Sequence, residues 1–123
     1  MKVENTLDTA RLYELYGEDA EYAASMFETF LEEVFPEFNE FNGLMQQQRW
    51  EDVRQLAHKL RPTLGMVGLS DLETLLGQFE KLIEVNAKSE QVQQHWHVFS
   101  SGLTSRKSLV QAEWQRLLTT NKL

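Results

Sequence analysis

The 123 residues contain no cysteine, which excludes disulfides and thiolate metal sites. Two prolines and six glycines are too few for a turn-rich β architecture. No apolar run approaches the roughly 18 residues that suggest a membrane span. Met1-Lys2-Val3-Glu4-Asn5 has no secretion-signal character. The expected compartment is therefore the cytoplasm, with no membrane association. Basic residues are also scarce: 12 Lys and Arg face 19 Asp and Glu, for a net charge of −7. That balance argues against a nucleic-acid surface, whose affinity comes largely from neutralising phosphates. What remains is 41% hydrophobic and 25% charged, a globular composition of one-domain length. A single domain over 1–123 is expected.

The apolar residues recur at helical spacing throughout. Thr6 or Asp8 is placed to cap a short first helix with Leu12, Leu15 and Tyr16 on its apolar side. Gly17-Glu18-Asp19 marks a new start, and Ala23, Met26, Phe27, Phe30, Leu31 and Val34 form the stripe of a second helix. Pro36 either opens a further helix or kinks one long one, since Phe38, Phe41, Leu44 and Met45 carry the pattern on. A third long helix is predicted over 50–67, and Gly68 offers its stop. Ser70-Asp71-Leu72-Glu73 has the form of a capping box. It precedes the most regular stripe, Leu72, Leu75, Leu76, Phe79, Leu82 and Ile83. A final helix is predicted from Ser89 to Leu118, interrupted in pattern by Gly102, Arg106 and Glu113 and so expected to fray or bend. Period-two alternation is nowhere sustained. The expected fold is all-α: an antiparallel four-helix bundle with a short additional N-terminal helix.

The 50–67 segment carries the candidate chemistry. Val53, Ala57, Leu60, Leu64 and Val67 make one apolar stripe, and His58 lies roughly 140° from its middle at 100° per residue. Arg54 is one turn before His58, Arg61 one turn after, and Gly65 within about 20° of it on the helical wheel. The outer face thus predicts a histidine, two guanidinium groups and a bare patch of backbone. A lone exposed histidine is usually only a surface residue; here its neighbours matter.

The run His58-x-Leu60-Arg61-x-x-x-Gly65-x-x-Gly68 resembles the phosphoacceptor helix of histidine-containing phosphotransfer (HPt) domains. The similarity extends along nearly the whole chain: Gly17-Glu18-Asp19, Phe27 and Phe30, Pro36 at mid-bundle, and a polar turn before the acceptor helix. The resemblance implies a phosphoryl relay protein of two-component systems, not an enzyme with its own small-molecule turnover. His58 would be the phosphoacceptor, taking a phosphoryl group from one receiver aspartate and giving it to another. Arg61 and Lys59 would stabilise the phosphate, with Lys59 serving mainly field and docking. Gly65, Arg54 and Pro62 would belong to the receiver-docking face. Response-regulator receiver domains, and a hybrid histidine kinase, are the implied partners of a monomer. No cofactor is expected and no metal, because the receiver supplies the magnesium ion.

This chain departs from the family pattern at several positions. Arg61 stands where lysine is usual, Pro62 where glycine is usual, and Leu64 and Met66 exceed the customary small residues. Proline removes the N–H that would bond the carbonyl of His58 and presses on that carbonyl, so a kink at the outer face is expected. The alternative function is a phospho-silent bundle that docks a receiver or kinase. Other motifs are weaker. His95 and His97 diverge by about 200° on a helix, which disfavours a shared metal. Trp50, Trp96 and Trp114 suit core or rim, and Glu28, Glu32, Glu33 and Glu37 a solvated face.

Overall fold

The computed structural model describes residues 6–121, so the loose N-terminus expected over 1–7 lies mostly outside the described residues. Every regular element among them is helical: α1 (Thr9–Tyr16), α2 (Ala20–Thr29), a π-helical turn (Phe30–Val34), α3 (Phe35–Glu37), α4 (Glu40–Gln46), α5 (Trp50–Gly65), α6 (Ser70–Glu84) and α7 (Ser89–Asn121). The predicted all-α bundle with a short leading helix is the observed architecture.

Local chemistry sets the helix starts. Asp8 Oδ1 accepts from the Arg11 N–H at 3.1 Å, and Asp19 Oδ1 accepts from the Tyr22 N–H at 3.0 Å; such caps each contribute about 1 kcal/mol. The capping box expected at Ser70 does not form. Leu69 is the N-cap, and its carbonyl accepts the Glu73 N–H at 3.0 Å. Ser70 Oγ instead donates to Asp8 Oδ2 at 2.6 Å. That contact helps hold Asp8 below the usual carboxylate range, ahead of its bond from Arg11.

Pro36 resolves as a continuation rather than a new start. In an α-helix its ring would press on the carbonyl of Glu32. The chain widens into the π turn just before it, where the Phe35 N–H reaches back to the Phe30 carbonyl, and helical dihedrals continue through Phe35. Insertion of one residue per turn is a recognised way of bending a helix without breaking it.

The core is the set of stripes read from the sequence. Phe27, Phe41, Val53, Ala57, Leu64, Val67, Leu72, Leu76, Phe79, Phe99 and Val110 are fully buried. Aromatic rings cluster at one level: Phe41 lies 4.5 Å from Trp96 between centroids, and Trp96 lies 5.4 Å from both Phe79 and Phe99. Trp96 is core, whereas Trp50 and Trp114 are half-buried at the rim. Helix α7 runs unbroken past Gly102, contrary to the expected fraying. Arg106, in an apolar slot, is buried and reaches Asp71 Oδ2 at 2.7 Å.

Helices α5 and α6 form the hairpin that carries the candidate residues. Gly68, at φ +77°, makes the turn, and α1 is strapped across it. The Asp8 N–H donates to the Gly68 carbonyl at 2.8 Å, and the Tyr16 hydroxyl donates to the Met66 carbonyl at 2.6 Å. Helix α5 ends at Gly65 rather than Val67, because the last residues turn into this loop.

Two outcomes follow from this packing. Gly68→Ala places a Cβ 3.0 Å from the Leu7 Cβ and 3.2 Å from the Asp8 nitrogen. Together with the left-handed backbone this is expected to destabilise the fold by about 1–2 kcal/mol or more, read as a lower urea midpoint. His95 stacks near Phe79 with both ring nitrogens buried and without hydrogen-bond partners among the described residues, and burial lowers its pKa below the ordinary imidazole value. Below that ordinary value the unfolded chain binds a proton that the native ring resists. Stability should therefore fall as pH drops through the range under ~6.5, and His95→Phe should flatten that part of a denaturation-versus-pH profile.

Candidate functional site

Paired helices with a tight turn meet in antiparallel register, so residues equidistant from Leu69 lie opposite one another. On the outer side of the α5–α6 hairpin this pairs Gly65 with Glu73, Arg61 with Gly77, His58 with Glu80 and Arg54 with Glu84. The four rungs follow helical spacing on each helix, which is why they share one face.

His58 sits at the centre with 65% of its side chain exposed. Its Nδ1 is 2.9 Å from Glu80 Oε1. Glu80 itself is nearly inaccessible, with 8% of its side chain exposed. A buried carboxylate is costly unless charges or donors answer it. His58 answers one oxygen. Arg61 answers the other, with Nη1 3.5 Å from Oε2, close enough for charge attraction although Oε2 has no hydrogen bond among the described residues. A carboxylate accepts, so the His58 nitrogen facing it carries the proton. In the neutral ring that tautomer leaves Nε2 as the nitrogen with a free lone pair.

Glu80 is not among the residues expected at the site, because the His58 face read from its own helix alone does not include the side chains of α6. The signal was present: the turn at Gly68-Leu69 fixes which α6 residue faces His58, and counting equally from Leu69 in both directions gives Glu80.

The other expected residues divide between this site and its surroundings. Arg61 joins His58 through Glu80. Arg54 is held by Glu51 at 2.6 Å and approached by Glu84 at 3.8 Å, and its guanidinium keeps the Glu51 carboxyl below the ordinary range. Lys59 is turned toward α3, where its Nζ lies 3.0 Å from Glu37 Oε2; Glu37 is thus drawn out of the solvated acidic face, while Glu28, Glu32 and Glu33 remain exposed. Pro62 is exposed within an uninterrupted α5. The stripe behind it stays buried.

The bare patch expected at Gly65 is not found. Gly65 is buried, and a Cβ there would come 2.8 Å from Glu73 Oε1. Angle on the helical wheel placed Gly65 beside His58 correctly but took no account of the α6 side chain lying over it. Glycine here makes room for Glu73 rather than leaving an opening to solvent.

His95 and His97 are not brought together: His95 is half-buried against Phe79 and His97 is exposed. Among the described residues no group of three His, Asp or Glu side chains is placed to hold a metal ion, and no helix is long and apolar enough to cross a membrane.

A family model described as the Hpt domain matches residues 25–120, a span that includes every helix carrying the His58 site. Searches of curated proteins and of solved structures returned no match. Domains of this family carry out histidine phosphotransfer in two-component systems, as transfer modules that interact with receiver domains and kinases. With the match spanning most of its length and the helical bundle to accompany it, the chain belongs to the Hpt domain family.

Proposed function

We propose that this protein is a phosphorelay intermediate, working as a monomer in the cytoplasm, in which His58 takes a phosphoryl group from the aspartate of one receiver domain and passes it to another. The observation that carries the reading is an exposed histidine, in a chain of the Hpt family, whose inner nitrogen is held by a buried carboxylate.

The chemistry follows from that bond. The Nε2 lone pair attacks phosphorus, the P–N bond forms, and the P–O bond to the receiver carboxylate breaks with its electrons leaving on oxygen. The ring becomes positively charged as this occurs, and its Nδ1–H stays against Glu80. A fixed negative group beside developing positive charge lowers the barrier without reorganising at the moment of reaction. Glu80 is therefore a positioning residue: it sets the tautomer, fixes the ring plane and compensates the ring charge. The phosphoryl group brings roughly two negative charges. Arg61, one turn along, supplies a cation to answer them through charge-assisted hydrogen bonds.

The magnesium ion and in-line geometry belong to the receiver in this reading. Arg54, Lys59 and Pro62 then border the docking face, and Gly65 supports it indirectly by admitting Glu73. Pro62 leaves the His58 carbonyl without its helical donor, an acceptor available to a docked partner.

Incubation with a phosphorylated receiver should place an acid-labile, alkali-stable label on the wild type and none on His58→Gln. A second receiver should then remove it. Binding without label from any receiver would favour the phospho-silent docking module. Before any phosphorylation, nitrogen-15 NMR should find the neutral His58 ring in its Nδ1–H form. Glu80→Leu should shift it toward the Nε2–H form and slow phosphorylation by about tenfold or more, the size expected for losing one charged hydrogen bond of ~1.5 kcal/mol.

A further inference from the structure

Three of the four α5–α6 rungs have a carboxylate on the α6 side: Glu73, Glu80 and Glu84. The rung opposite Arg61 has none. It has Gly77, and the Arg61 side chain lies across it: a Cβ at Gly77 would fall 3.2 Å from Nη1 and 3.4 Å from Cδ of Arg61. The first distance is tighter than ordinary side-chain contacts and the second sits at their edge, so a methyl group at Gly77 makes the guanidinium give by a few tenths of an ångström and a larger side chain takes its place.

The backbone gives no other reason for this glycine. Gly77 lies inside α6, away from the helix ends, with φ outside the left-handed region. Glycine at such a position costs about 1 kcal/mol relative to alanine. No loop, cap or turn needs it. The cost is matched by a specific use of space, since an arginine laid on a helix surface needs one place where that surface has no side chain.

We propose that Gly77 is a positioning residue for phosphoryl transfer at His58, a notch in α6 that seats Arg61 beside the ring. The inference rests on the reading of His58 as acceptor and Arg61 as the cation that answers the phosphoryl group. In the seat, the guanidinium is drawn by Glu80 Oε2 at 3.5 Å without being hydrogen-bonded to it. It is held by charge and shape, one helical turn from His58 on the same face. The same Glu80 orients the ring and parks the cation, so the two groups are placed by one carboxylate and one missing side chain. With a large side chain at position 77 the arginine moves out to solvent, where rotamer freedom and water compete for it.

The test uses the full chain and phosphoramidate as donor, following phosphohistidine formation by phosphorus-31 NMR. Arg61→Ala is expected to slow it about tenfold, as loss of one charged hydrogen bond would. Gly77→Leu should approach that loss and Gly77→Ala should fall between. The combined Gly77→Leu/Arg61→Ala variant should be no slower than Arg61→Ala alone, the coupling expected of two residues that act as one.

A bystander glycine makes the opposite forecast. Gly77→Ala would raise the urea midpoint, as helix propensity dictates, and leave the phosphorylation rate at the wild-type value. That result overturns the proposal, as would a Gly77→Leu loss that persists undiminished in the Arg61→Ala background. Should Gly77→Leu not fold, Gly77→Ala with its own double variant decides the matter by the same comparison. A wild-type rate in Arg61→Ala, or no phosphohistidine on the wild type, overturns the proposal together with the reading beneath it. A slow Arg61→Ala beside a wild-type Gly77→Ala and Gly77→Leu overturns the seat alone.

Discussion

A carboxylate buried in a helix interface must be answered by charge or by donors, because the cost of leaving it unpaired runs to several kcal/mol. Glu80 is in that position, and the answer it receives organises the hairpin. His58 comes to one oxygen and Arg61 to the other. Because the carboxylate points outward from beneath the surface, the groups that satisfy it must lie above, toward solvent. The histidine is consequently both exposed and fixed, two properties that rarely coincide for a surface side chain. A ring free to rotate would present either nitrogen; this one presents Nε2.

The rest of the bundle supports that arrangement. The register of α5 against α6 is set by the turn at Gly68 and by the two apolar stripes, with Val53, Ala57 and Leu64 of α5 buried in the same core as Leu72, Leu76 and Phe79 of α6. A slip in that register would change every rung on the outer side. Helix α1 secures the turn through Asp8 and Tyr16, and Ser70 joins the strap where a capping role was expected. Small residues serve the same interface at two levels: Gly65 admits Glu73 from α6, and Gly77 admits Arg61 from α5. Size is complementary across the hairpin, with a large side chain on one helix over a glycine on the other.

Much of this was legible before the structure. Helical period, stripe membership and the exposure of His58 depend on angles along one helix, which sequence spacing states directly. The motif around His58 identified the family that the match over 25–120 bears out. The failures share a cause. Gly65 reads as bare and Ser70 as a cap acceptor, and each outcome depends on a side chain from another element, as does the place of Glu80 beside His58. Glu80 was recoverable by folding the hairpin about Leu69. The strap from Asp8 to Ser70 was not, because nothing in the spacing of α1 says which loop it crosses. Pro36 also lay beyond reach: both a new helix and a kinked one fit the pattern, and the π turn that reconciles them is a backbone adjustment with no residue signature.

Transfer at His58 turns on which ring nitrogen reacts. Loading the nitrogen-15-histidine-labelled protein with phosphoramidate and recording phosphorus–nitrogen coupling by NMR would identify the phosphorylated position directly. A phosphoryl group on Nε2 of His58, with a proton retained on Nδ1, is the predicted result. Phosphorylation at Nδ1, or on His95 or His97 in place of His58, would contradict it.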